Sequence, residues 1–263
     1  MENRLFLERQ DKLAYDKDGF VFVEDLFSPE EVERLIWEIE KGQKVQDFGQ
    51  GVDDAGGKKT NLAIWDGIGD DVWSAVSSCP RIINNVRFLL GEETAFYHGK
   101  VMMKEAQTGG AWEWHQDYGY WYNNGFLFPR MMSVFVALDE ATEKNGCLQI
   151  LKASHELGRL EHQTIGQQTG IDSARIEQVE PLFEKIHCTM KPGTALFFHC
   201  NLLHASSANQ SEHARRSFIM CYNALHNPRY KTAKGGSLVS ENRPCPTGSD
   251  NWLEQFPLPE TAT

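Results

Sequence analysis

The chain has 263 residues, 41% of them apolar and 11% aromatic, enough to bury a substantial core in one large domain or two small ones. Its formal net charge of -11, from 26 Lys and Arg against 37 Asp and Glu, excludes the overall basic footprint of a nucleic-acid binder. The six cysteines are widely spread with no Cys-x-x-Cys pair, which excludes a zinc ribbon and a disulfide framework and leaves them read as reduced.

Met1 to Phe20 is charged and polar, without the apolar stretch of a signal peptide, and no run reaches the length needed to cross a bilayer. The final Thr261-Ala262-Thr263 is no peroxisomal address, so the expectation is a soluble cytoplasmic protein without a membrane partner. Gly19-Phe20-Val21-Phe22-Val23 reads as a short strand. Ser28 then supplies an N-cap, Pro29 the first helical position and Glu31 the capping-box partner of a helix running to about Lys41. Val32, Leu35, Ile36 and Ile39 form its apolar stripe. Residues 42 to 60 are glycine-rich and read as a loop, and Gly56-Gly57-Lys58-Lys59 lacks the spacing of a phosphate-binding loop. Thr60 to Trp65 reads as a strand. Pro80 to Leu90 reads as a helix that buries Ile82, Ile83, Val86, Leu89 and Leu90 and stops at Gly91.

From about Thr94 the pattern becomes strand-like, over 95 to 103, 111 to 117, 131 to 138, 147 to 151, 186 to 190, 195 to 199 and 217 to 224. Many short strands around one centre imply a mainly β fold, a jelly roll with flanking helices packed on one sheet. The expected layout is one domain over 1–263: a mostly helical N-terminal cover to 93, a jelly-roll core over 94–226 and an irregular tail over 227–263. Two long connections, 118 to 130 and 152 to 185, have the length of functional loops.

The chemistry concentrates in two segments. In Trp112-Glu113-Trp114-His115-Gln116-Asp117 a histidine and a carboxylate two apart share one face of a strand. Downstream, a turn at Gly193 leads into an apolar strand ending near His204, with His199 as the rival histidine. Two histidines and one carboxylate with open positions are the facial-triad pattern of non-haem Fe(II) oxygenases. A 2-oxoglutarate cosubstrate also needs a cation for its far carboxylate, and Arg215 or Arg216, beyond His204, offers the bidentate fork for it. Strand alternation admits only one of the two arginines.

Asp18-Gly19-Phe20-Val21, Phe27 to Val32, His115-Gln116-Asp117, Asn145-Gly146-Cys147-Leu148, Ser154-His155, Gly193 to Phe198 and His204 through Arg215, in that order, resemble the signatures of the phytanoyl-CoA dioxygenase family. The resemblance covers most of the chain. It implies a double-stranded β-helix of the cupin-like jelly-roll type, with Fe(II) held by His115, Asp117 and His204. It further implies that Arg215, assisted by Ser206, binds the far carboxylate of 2-oxoglutarate, with Phe135 and Lys100 at further cosubstrate-contact positions, although the usual residue at the latter is apolar. Related halogenases replace the carboxylate ligand by a small residue, so Asp117 implies oxygenation. The implied reaction consumes O2, oxidises an unactivated C–H bond of a small molecule, most often to an alcohol, and releases succinate and CO2.

Tyr118, Tyr120 and Trp121 follow the metal motif and are candidates for the substrate pocket, Trp121 by continuing the strand parity of His115 and Asp117. His155, just after a strand, is a further pocket candidate; His98, His162, His187, His199 and His213 receive no role. Coenzyme A needs cations for its phosphates, and Lys58, Lys59 and Arg130 are the only suggestive ones in loops, so a free small molecule is the expected substrate. The alternatives are a metal-dependent jelly roll doing non-oxidative chemistry and a catalytically silent binding module; oligomeric state is not legible.

Overall fold

The computed structural model describes residues 5–230 and 242–259. In chain order the elements are α1 (Arg9–Asp18), β1 (Phe20–Val23), α2 (Pro29–Lys41), α3 (Gln43–Phe48), β2 (Gly49–Asp53), β3 (Lys59–Asp66), α4 (Val72–Ser78), α5 (Pro80–Leu90), β4 (Thr94–Lys104) and β5 (Trp112–His115). They continue with α6 (Asp117–Trp121), β6 (Met131–Ala137), β7 (Leu148–Leu151), β8 (Gln163–Ile165), β9 (Gln168–Gly170), α7 (Ser173–Val179), β10 (Lys185–Cys188), β11 (Ala195–His199), β12 (His204–Ser206), β13 (Arg215–Ala224) and α8 (Trp252–Gln255).

The strands form a seven-stranded sheet in the order β1-β11-β6-β13-β4-β3-β2 and a four-stranded sheet in the order β10-β7-β12-β5, every pair antiparallel; β8 and β9 make a separate ribbon. Met102, Phe135 and Ile219 of the large sheet share an apolar cluster with Leu148, Ile150 and Cys188 of the small one, so the two sheets pack face to face. The outer face of the large sheet is covered by helices. There Val101, Val134, Val136, Phe197 and Phe218 pack with Leu35 of α2, Trp73 and Val76 of α4, and Ile82, Ile83 and Val86 of α5. Phe218 stacks on Trp65 at 5.9 Å and meets Trp73 at 4.8 Å. Burying one such aromatic contributes roughly 1.5–3 kcal/mol. This is the jelly roll with helices on one sheet that the strand spacing implied.

Both long helices begin and end as their sequences dictate. Ser28 and Glu31 close a reciprocal capping box on α2, and Gly91 ends α5 at φ 75°, a conformation glycine adopts without steric cost. Several elements depart from the sequence reading. The 42 to 60 stretch is not a loop: α3 occupies its start and β2 pairs with β3 as a hairpin, whose turn is held by the Asp54 carboxylate accepting from Gly56 and Lys58 amides. The first 93 residues therefore add three strands to the large sheet besides their helices. The strand at 111 to 117 stops at His115, where the chain turns into α6. In the tail, residues 231–241 lie outside the described residues, but α8 buries Trp252 in the helix-covered core. All six cysteines are free and buried. Among the described residues no helix is long and apolar enough to cross a membrane.

Candidate active site

The end of β5 lies beside the start of β12, so His115 and His204 are direct cross-strand partners with ring centroids 4.0 Å apart. Each Nδ1 lies against the backbone carbonyl two residues earlier, Glu113 O at 2.7 Å and Leu202 O at 2.8 Å. Nδ1–H donating there fixes the tautomer and leaves both Nε2 lone pairs free for a cation. They converge on Asp117: each Nε2 is 3.8 Å from Oδ1. The three donor atoms lie within 4.8 Å of one another and all three side chains are buried.

Asp117 reaches this point because the chain breaks from strand to helix at Gln116, which the sequence did not single out. The Gln116 amide nitrogen donates to Gly158 O (2.6 Å) and Asn201 O (2.8 Å), its Oε1 accepts from the Leu160 amide (2.7 Å), and its backbone N–H donates to His162 Nε2 (2.9 Å). One side chain thus ties the 152 to 185 connection and the turn before β12 to the metal-binding corner. Gly119 follows where a Cβ would meet the His162 ring at 2.0 Å. The Asp117 carboxylate is in turn oriented by Ser133 Oγ on Oδ2 and by Tyr120 OH on Oδ1, both at 2.6 Å.

Burial alone would raise the Asp117 carboxyl, but His204, Lys100, His115 and the Ser133 hydrogen bond outweigh it and hold the group well below the usual carboxylate range. Burial pushes His115 and His204 down, so both imidazoles are neutral at pH 7. Two neutral imidazole nitrogens and one carboxylate oxygen, with no further protein ligand among the described residues, fit a divalent iron that keeps open positions.

The same cavity is lined by Lys100, Phe135, Ser206 and Arg215, and its apolar walls include Met102, Trp112, Leu148, Phe198 and Ile219. Arg215 opens β13 with its side chain turned inward, over the Phe135 ring at 5.4 Å. Its Nη1 donates to Gly146 O at 3.3 Å, its Nε has no partner, and among the described residues no carboxylate pairs with it. Burial draws this guanidinium down to about 10. A buried guanidinium without an anion is costly, so the site fits a ligand carboxylate. Arg216 points the other way and forks onto Asp139 at 2.8 Å through both Nε and Nη2, with Nη1 on Glu40 at 2.7 Å. Alternation therefore separates a cavity arginine, Arg215, from an outward one.

The phytanoyl-CoA dioxygenase (PhyH) family model matches residues 15–217. The chain belongs to the phytanoyl-CoA dioxygenase family. It is an Fe(II)- and 2-oxoglutarate-dependent dioxygenase that uses O2. Among curated relatives, L-proline trans-4-hydroxylase of Streptomyces griseoviridis is 28% identical over 247 residues, covering 88% of this chain and 92% of that protein. Ectoine dioxygenase of Bordetella bronchiseptica is 26% identical over 236 residues, covering 82% and 77%. The crystal structure of EctD from S. alaskensis with 2-oxoglutarate and 5-hydroxyectoine shares the fold, with a TM-score of 0.75 at 22% identity over 95% of this chain and 89% of that one.

Within this family member, the aromatic pocket candidates fall elsewhere. Trp121 does not continue a strand, because α6 has begun; it is fully buried, edge-on to Tyr97 at 5.6 Å and to His98 at 5.8 Å, and does not line the cavity. Tyr118 is likewise buried between the sheets, its ring against Tyr122. Tyr120 does not stand at the pocket mouth but donates to the metal-facing oxygen of Asp117. His155 lies outside the cavity, its Nε2 donating to Asp16 O at 3.1 Å and its ring 5.3 Å from His199. His199 packs there too, near Tyr15 of α1, which removes it as the rival of His204.

Proposed function

We propose that this dioxygenase hydroxylates an unactivated C–H bond of a small polar molecule, with His115, Asp117 and His204 holding Fe(II), and Arg215, Ser206, Phe135 and Lys100 receiving 2-oxoglutarate. The observation that carries this reading is the opening of a two-histidine, one-carboxylate cluster and an anionless buried arginine onto one cavity. Iron and 2-oxoglutarate, when bound with O2, supply an oxidant strong enough to take hydrogen from an aliphatic carbon, with succinate and CO2 released.

The chain's own groups organise the site for that chemistry. The carbonyls of Glu113 and Leu202 hold the imidazole tautomers, and Ser133 and Tyr120 orient the carboxylate. Arg215 sets the direction in which a dicarboxylate lies, and the apolar walls keep water from the reacting carbon. A non-oxidative metal enzyme or a silent binding module would leave Arg215 with nothing to hold.

The relatives named above act, by their names, on L-proline and ectoine, which supports a compact polar substrate. None of the cations that could suit coenzyme A lines the cavity: Lys58 donates to Gln107 O and Arg130 pairs with Glu92. Six buried, unbridged thiols suit a reducing, cytoplasmic setting. The test is succinate release from 2-oxoglutarate under Fe(II) and O2, screened against amino acids and their cyclic derivatives. Stimulated release that disappears in His115→Ala supports the reading, and release that persists in that variant contradicts it.

A further inference from the structure

Every described residue that lines the cavity is buried except Lys100 and Trp112, which are half-buried, so the cavity meets solvent between these two. Lys100 and Arg215 both face inward on paired strands, but far apart. Lys100 sits opposite Ile219 in the β4–β13 ladder, and Arg215 sits opposite a residue four positions further along β4. At about 3.3 Å per residue that separation is roughly 13 Å. Arg215 thus closes one end of the cavity, and Lys100 stands toward the other.

Among the described residues no carboxylate lies within ion-pair reach of the Lys100 ammonium, and no group accepts a hydrogen bond from it. It rides over the Trp112 ring, with Nζ 5.9 Å from the centroid. Trp112 in turn meets the His115 ring edge-on, centroids 6.5 Å apart, so cation and indole together lead from the opening to the metal ligands. The Lys100 charge is felt there: behind burial and His204, it is the next influence on the Asp117 carboxyl, which it pushes down.

One positive charge is left over at this end. A divalent iron and Arg215 carry three positive charges, 2-oxoglutarate and Asp117 carry three negative ones, and both lining histidines are neutral. Lys100 therefore adds a charge that neither the lining residues nor the cosubstrate balances. A partly desolvated cation gains most from an anion that arrives with the ligand. Three N–H donors allow the ammonium to touch the keto-acid end of 2-oxoglutarate and still present a donor at the opening.

We propose that Lys100 and Trp112 form the receiving site for the substrate, in which Lys100 pairs with a carboxylate of the substrate and the Trp112 face packs its carbon skeleton. The substrate class is then small organic acids, amino acids among them, and not neutral or purely cationic molecules. The inference rests on the reading of Arg215 as the arginine for the far carboxylate of 2-oxoglutarate, since an Arg215 left empty would itself take the substrate's carboxylate.

The experiment is calorimetric titration of the Mn(II)-loaded protein, saturated with 2-oxoglutarate, with a panel of proteinogenic amino acids and short aliphatic acids and with the primary amide of each. The amide keeps the skeleton and loses the negative charge. At least one acid should bind, about tenfold or more tighter than its amide, the worth of one charge-assisted hydrogen bond. Lys100→Met keeps the length of the side chain without its charge and should bring that acid and its amide within about twofold of each other, while Lys100→Arg should restore the preference. Trp112→Ala should weaken acid and amide together and leave their ratio in place. An amide that binds as well as its acid, a panel in which no acid binds, or a Lys100→Met protein with the wild-type ratio overturns the inference. Should Lys100→Met not fold, Lys100→Gln carries the same comparison. Failure of the wild-type protein to bind 2-oxoglutarate at all would instead defeat the reading of Arg215.

Discussion

Ser133→Ala isolates the oriented carboxylate from the rest of the site. Ser133 is fully buried in the middle of β6, and its hydroxyl donates to Asp117 Oδ2 at 2.6 Å, away from the oxygen that faces the two imidazoles. Alanine adds no bulk and leaves the ligand itself in place. The hydrogen bond is charge-assisted, and losing one to a buried ionised group costs about 1.5–3 kcal/mol. If that cost falls on the metal-competent orientation of Asp117, Fe(II) affinity drops roughly ten- to 150-fold, consistent with the effect of outer partners on metal ligands. The loss also removes one influence holding the Asp117 carboxyl down, so proton competition for the site should begin at higher pH than in wild type. The assay is anaerobic competition for Fe(II) against a chromophoric chelator at pH 7 and at pH 5.5, with circular dichroism as the fold control. A folded Ser133→Ala protein whose metal affinity stays within twofold of wild type at both pH values would refute the reasoning.

Other outcomes follow from neighbouring contacts. Arg215→Met should weaken 2-oxoglutarate at least about tenfold with little loss of stability, since it relieves an unpaired buried charge, whereas Arg216→Ala should leave cosubstrate binding intact and cost about 1–3 kcal/mol of stability through loss of the Asp139 fork. The reverse pattern in parallel titration and melting experiments would exchange the two arginines. Trp121→Ala should lower stability by about 3–5 kcal/mol, because it empties a packed site between the sheets; a loss under about 1 kcal/mol would return Trp121 to a pocket role. Acid should destabilise the metal-free protein below about pH 6.5. Burial holds the His98 pKa near 3 against an ordinary 6.5, so across that window the unfolded chain binds a proton that the folded chain refuses, and stability falls with falling pH by up to about 1.4 kcal/mol per pH unit from this residue. His98→Phe should flatten the Tm profile between pH 6.5 and 4, and an unaltered slope would contradict the assignment.

Much of this site was legible because its chemistry lies in residue types. His115, Asp117 and His204 stood out as candidate ligands in the sequence, and strand alternation showed that only one of two adjacent arginines could face the site, with the family resemblance pointing to Arg215. The capping box at Ser28 and Glu31 and the apolar stripe of α2 were equally plain, since both are local. What escaped detection depends on contacts between distant segments. β12 spans three residues and carries no periodic signal. The break from β5 into α6 is stabilised by Gln116 bonding to Gly158, Leu160 and Asn201, far along the chain, so a continuous strand looked reasonable and Trp121 inherited a false parity. α4 was hidden by its serines, which turn out to be buried, with Ser77 and Ser78 donating back to the carbonyls of Trp73 and Ser74. Glycines made 42 to 60 look like a loop, whereas β3 gives β2 a partner.

The central claim is that iron and 2-oxoglutarate meet between His115, Asp117, His204 and Arg215. Its most direct test is anaerobic titration of the metal-free protein with Fe(II) and then 2-oxoglutarate, watching for the weak visible charge-transfer band of an iron-chelated 2-oxo acid. The band should develop with one equivalent of each, vanish in Asp117→Ala, and require much more 2-oxoglutarate in Arg215→Met. Iron binding with no such band, or a band indifferent to both substitutions, would contradict the account.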